Sequence, residues 1–154
     1  LAVAALYKDG GAGTKQSRDE AYREQMAATQ AKYPDDETKL FYGLSIIGTI
    51  REGTKGFEMQ GRAIALFESV YARDKQHPGV LHYLIHAYDD PVHAETGVAV
   101  ARAYARTAAA VPHAYHMPSH IFTRLGLWPD SIASNLASAD AGRRLVAQRR
   151  RSGR

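Results

Sequence analysis

Four histidines stand in two pairs of equal spacing: His82 and His86 within "HPGVLHYLIHAYDD", residues 77 to 90, and His116 and His120 within "PHAYHMPSH", residues 112 to 120. On a helix, residues four apart are separated by about 6 Å along the axis and about 40° around it. Two imidazoles so placed can share one metal ion, and four from adjacent helices, with Asp89 nearby, would suit Zn²⁺, Cu²⁺ or Fe²⁺. Arg124 lies 34 residues after Asp90, so a carboxylate and a guanidinium can pair across the same two helices. The alternative is plainer: any amphipathic surface helix has a polar face, and histidines there hydrogen-bond to tyrosines, carboxylates or backbone. Neither pair contains the glutamate of HExxH, so the general base of a zinc protease is missing and no residue is assigned a catalytic role.

The elements that carry these residues read as helices throughout. Apolar residues recur at helical spacing, with no sustained alternation of β-branched residues, and the expectation is an all-α chain of about seven helices. Ser17 is a plausible N-cap for a helix to about residue 32, with Glu20 completing a capping box. Pro34 opens the next helix, whose acids Asp35, Asp36 and Glu37 suit its positive end, and Phe41, Leu44, Ile47 and Ile50 supply an apolar stripe. A helix over about 56 to 75 buries Ile64, Phe67, Val70 and Tyr71. Pro78 opens the helix of the first histidine pair, and further helices cover about 92 to 109, 114 to 126 and 130 to 148. On the wheel, Val80, Leu81, Leu84, Ile85 and Tyr88 gather opposite His82, His86 and Asp89. Met117, Ile121, Phe122 and Leu125 gather opposite His116, His120 and Arg124. Pro118 inside the second pair disfavours helical geometry at Met117 and can place His116 outside the helix. His77, His113 and His93 read as cap, turn or first-turn residues, and Trp128 as a buried anchor at a helix junction.

A shift of 34 residues superposes Pro78 on Pro112, His82 on His116, His86 on His120, Tyr88 on Phe122, Ala99 on Ala133 and Ala103 on Ala137. The period, with a helix pair per unit and proline at the junction, marks a stacked array in which alanines let helices approach. "YPDDETKLFYGLSII", "HPGVLHYLIHAYDDP" and "PHAYHMPSHIFTRLGLWPDSIASNLAS" resemble a family of bacterial tetratricopeptide-repeat (TPR) proteins of uncharacterised function. The resemblance covers about residues 17 to 139. It implies a right-handed TPR-like solenoid, with units at about 34–77, 78–111 and 112–145 in a repeat domain of residues 1–142. Family members are longer and often exported, which implies that this chain is an internal piece of a periplasmic or secreted parent. In such an array both histidine pairs would line the concave face.

Composition narrows the partners. With 45% hydrophobic and 23% charged residues in 154, the chain is suited to one globular domain. The lack of cysteine excludes disulfides, thiolate metal sites and cysteine nucleophiles. Six of the twenty basic residues lie in residues 143 to 154, leaving 14 basic against 16 acidic side chains in the rest, so the net charge of +4 belongs to a basic tail. A solvated terminus explains that tail better than nucleic-acid binding does. No apolar run is long enough for a membrane span. "GGAGTK" lacks the Gly-Lys-Ser/Thr ending of a phosphate loop.

Two functional expectations follow. The first is a binding module whose concave face takes a peptide, protein or small ligand, with Tyr83, Asp89, Asp90 and Arg124 as contact residues; Tyr42, Tyr88 and Tyr115 either line the groove or pack between repeats. The second is a metal-binding protein or metalloenzyme with His82, His86, His116 and His120 as ligands. Uncapped arrays expose apolar ends, so self-association is expected as well.

Overall fold

A computed structural model describes residues 2–7, 13–51, 57–107 and 111–153. Among these residues there is no strand, as the apolar periodicity requires. The glycine-rich turn after Asp9 and the segment 52–56 lie outside the described residues. The chain forms two compact units, Leu1–Arg73 and Asp74–Arg154.

In the first unit α1 (Ala2–Leu6), α2 (Lys15–Lys32), α3 (Asp36–Gly48) and α4 (Glu58–Tyr71) pack each on the next. The N-cap of α2 is Thr14, three residues before the Ser17 expected from sequence: its hydroxyl accepts from the Ser17 N–H at 3.1 Å. Helix α3 is capped by Asp35, which accepts from Thr38 N–H at 2.7 Å, with Asp36 and Glu37 in the first turn beside the positive end of the dipole. The expected stripe on α3 is rotated. Leu40, Gly43 and Ile46 are buried, whereas Phe41 is 43% exposed. The cause is α4: Phe67, fully buried, lies so close to Gly43 that a Cβ there would stand 2.4 Å from its ring. The glycine, invisible to a count of apolar side chains, sets the facing side. Arg51 reaches Asp19 at 3.0 Å and Arg73 pairs with Asp36, tying loop ends to helices.

The second unit holds α5 (Pro78–Tyr88), α6 (Ala94–Thr107), α7 (Pro112–His116), α8 (Pro118–Arg124) and α9 (Trp128–Arg151). His77 caps α5 with its ring, Nδ1 accepting from Gly79 and Val80 N–H at 3.1 and 3.3 Å, and Pro78 takes the first helical position, where no N–H is needed. Val80, Leu81, Leu84, Ile85 and Tyr88 are all buried, and so are Met117, Ile121 and Phe122. Helix α6 packs on both α5 and α8. Close approach comes from Gly97, where a Cβ would meet Ile121 Cδ1 at 2.9 Å and Tyr88 Cβ at 3.1 Å. Ala99 and Ala133, expected in that role, are exposed.

Pro118 divides what the sequence reads as one helix into α7 and α8, with Met117 alone between them. Met117 keeps helical angles (φ −52°, ψ −41°) and is fully buried with Pro118. Burial of both side chains offsets the steric bias against a helical residue before proline. Gly126, at φ +70°, ends α8: the Leu127 N–H closes onto the Phe122 carbonyl at 2.8 Å, the αL stop that glycine adopts without strain. Helix α9 continues through the basic residues to Arg151. Trp128 is 59% exposed, which corrects its assignment as a buried anchor. The junction it was to hold is closed instead by the Gly126 turn and by a 2.8 Å hydrogen bond between the Thr123 and Ser131 hydroxyls.

Candidate functional site: a histidine track beside a polar groove

The buried stripes of α5 and of α7–α8 leave their histidines on one continuous surface of the second unit. Ring-to-ring centroid distances are 4.9 Å for His82–His86, 5.7 Å for His86–His120, 5.0 Å for His116–His120 and 6.0 Å for His113–His116, and His82–His113 closes the circuit at 5.0 Å. The 34-residue repetition therefore places its two histidine pairs side by side. Pro118 does not separate the second pair, because the chain turns helically at Met117.

His113, expected to be a cap or turn residue, is the fifth member. It sits in α7, and its Nε2 lies 3.3 Å from His82 Nε2. Its 31-residue separation from His82 falls outside the 34-residue register, so the repeat comparison passes over it. The cue in the sequence is Pro112: proline at the first helical position puts His113 one residue into α7, on the helix beside the α5 track rather than in a loop.

One side of the track opens into a cavity of about 540 Å³ lined by Asp89, His116, Ser119, His120, Thr123, Arg124 and Asn135. Its side chains hold one another in place. Asp89 ends α5 and accepts from His120 Nδ1 at 3.1 Å and from Arg124 Nε at 3.0 Å, while Arg124 Nη2 also donates to the Asp89 carbonyl at 3.2 Å. Arg124 thus pairs with Asp89 rather than with Asp90. The His120 hydrogen bond, followed by that of Arg124, holds the Asp89 carboxyl below the usual carboxylate range against the opposing pull of burial. Asn135 of α9 donates to the Ser131 carbonyl at 3.0 Å, which orients its amide oxygen toward His116 Nδ1 at 2.8 Å. An amide oxygen only accepts, so the His116 Nδ1 carries the proton of this hydrogen bond.

Asp90 is spent elsewhere. It is 5% exposed, and its carboxylate accepts from Val92 and His93 N–H at 2.7 and 2.9 Å and pairs with His93 Nδ1 at 2.7 Å. Its role is to set the turn into α6. Tyr83 stacks on His82 with centroids 5.7 Å apart, at the far end of the track from the cavity.

The other end of the track is crowded. His82 lies between Tyr83 and Tyr104, whose ring is 5.5 Å away, and its Nε2 is 3.1 Å from His86 Nε2 as well as near His113. Burial, with repulsion from His86, His113 and His120 added, lowers the His82 pKa to about 4. Loss of water on the side of the ring that faces the track, then His120 and His113, lowers that of His86, although its outer side is exposed. Near pH 7 both rings are neutral and offer nitrogen lone pairs. Among the described residues, no group of three or more His, Asp or Glu side chains is already disposed to hold a metal ion. Nor is any helix there long and apolar enough to cross a membrane.

No family model, curated protein or solved structure matches the chain.

Proposed function

We propose that the protein is a binding module of TPR-like helix pairs and that the groove of its second unit receives a polar part of a peptide, protein or small ligand. The observation that carries this reading is the Asp89–His120–Arg124 network, joined across 31 and 35 residues of sequence and bordering an open cavity. Its groups are held in place before any ligand arrives, which lowers the ordering cost of binding. Arg124 remains exposed while anchored through Asp89, so part of its fork of donors is presented to a carboxylate or carbonyl. The in-phase offset of 34 residues and the pairing of α5 with α6 and of α8 with α9 support the repeat reading.

The test is a synthetic array of acidic, neutral and basic peptides probed with the wild-type protein and with Arg124→Ala and Asn135→Ala. Capture of a discrete acidic or carbonyl-rich subset, lost in both variants, is the expected result. Equal capture by all three proteins would remove the groove from the account.

A second reading concerns self-association. Trp128, Ile132 and Leu136 are spaced four apart on α9 and are 59%, 60% and 60% exposed, so one face of that helix carries a run of uncovered apolar side chains. A second copy of the chain covering this face is the proposed arrangement.

A further inference from the structure

We propose that His82, His86 and His113 form a binding site for one divalent first-row transition-metal ion, Zn²⁺ or Cu²⁺, separate from the polar groove. Two nitrogens bound to the same ion at about 2.0–2.1 Å must lie about 2.8–3.4 Å apart, from cis-octahedral to tetrahedral angles. The two Nε2–Nε2 separations around His82, 3.1 and 3.3 Å, fall in that interval.

The arrangement is also hard to explain by hydrogen bonding alone. His82 Nε2 has one in-plane position, filled by either a proton or a lone pair, and it faces two other imidazole nitrogens. That position serves one neighbour well and the other only through a bent, shared contact. A cation turns the two close approaches at His82 into pairs of ligands. The metal is chosen by the donors: an all-imidazole set without thiolate suits zinc and copper better than magnesium or calcium.

The ligand set differs from a combination of the two in-phase pairs. His116 and His120 engage Asn135 and Asp89 through Nδ1, and neither Nε2 stands within hydrogen-bonding distance of His82 or His86 among the contacts described. His86 and His113 are exposed and His82 partly so, which leaves the ion an open approach and coordination positions for water. As they stand the rings form two chelating separations sharing His82, and His113, exposed on its short helix, closes the third by reorienting its ring.

The proposal does not depend on the groove holding a ligand. Its test is titration of the chelator-treated full chain with Zn²⁺, followed calorimetrically, and with Cu²⁺, followed by electron paramagnetic resonance to count bound nitrogens. One equivalent with two to three imidazole nitrogens is expected. His86→Ala and His113→Ala, both at exposed positions, weaken binding by about ten- to a hundredfold while circular dichroism is unchanged. His116→Ala binds as the wild type does. Uptake below about a tenth of an equivalent, or wild-type affinity in His86→Ala, overturns the proposal. So does affinity lost in His116→Ala but kept in His113→Ala, which would move the ion to the other end of the track. Groove binding is read separately through Arg124→Ala, so failure of either idea is visible without the other.

Discussion

Acidification should weaken the second unit through His82. In the folded state this ring titrates at about 4, against 6.5 for an ordinary histidine, because burial and the neighbouring His86, His113 and His120 disfavour its charge. Between those values the unfolded chain binds more protons than the folded one, so stability rises with pH. The contribution is complete above pH 6.5 and is lost as pH falls toward 4. A shift of about 2.5 units has a ceiling of about 3 kcal/mol, of which about 2 kcal/mol would be gone at pH 5. The ring reaches solvent in part and the track can relax as it charges, so a loss of about 1–2 kcal/mol over the whole window is the working figure. The assay is urea unfolding with a metal chelator present, in half-unit steps from pH 7.5 to 4, for the wild type and His82→Gln. The amide cannot titrate, so the variant's stability should fall less steeply across this window. His86 and Asp89 remain in both proteins and their effects cancel in the comparison. Parallel curves for the two proteins would refute the assignment of the strain to His82.

Other perturbations probe the scaffold. Gly43→Ala should lower stability by about 1–2 kcal/mol in urea unfolding, since overpacking against Phe67 outweighs a helix-propensity gain of about 1 kcal/mol; a stabilised variant would mean that α3 and α4 are not so closely apposed. Asp90→Ala should cost about 1–2 kcal/mol by orphaning the Val92 and His93 N–H groups, yet leave peptide capture through Arg124 intact. Lost capture in a folded Asp90→Ala protein would return that residue to the binding face. Ile132→Asp with Leu136→Asp should abolish concentration-dependent mass growth in light scattering, and a wild type that stays monomeric at high concentration would refute the self-association reading.

Much of the scaffold is readable from local chemistry. The start of α5 follows from Pro78 and the buried stripe of α5 from its period, while α3 begins at Asp36, two residues after the Pro34 expected to open it, because Asp35 caps it. Misreadings occur where a neighbour decides. Gly43 and Gly97 have no side chain to signal burial, yet both mark where helices touch, so apolar periodicity misses the rotation of the α3 stripe and puts the small-residue contact of α6 at Ala99. Thr14 outcompetes Ser17 as a cap because the helix begins a turn earlier, and Trp128 looks like a core residue only until its neighbours are known. The site shows the same division. His82, His86, His116 and His120 are legible because the 34-residue register puts them in phase; Asp89 and Arg124 fall on the same helix faces, but the register pairs Arg124 with Asp90, one residue from its true partner. His113 is not legible, because its approach to His82 depends on how α7 lies against α5. Asp90 was read as a contact residue because its burial and its three hydrogen bonds come from the turn that follows it.

The central claim is that the groove beside the histidine track is where this protein recognises its ligand. The most direct measurement is a backbone and side-chain NMR titration of the full chain with the peptide captured most strongly on the array. Saturable shifts at Asp89, His116, His120, Arg124 and Asn135 are expected. Shifts confined to the arginines of α9, or spread without saturation, would contradict it.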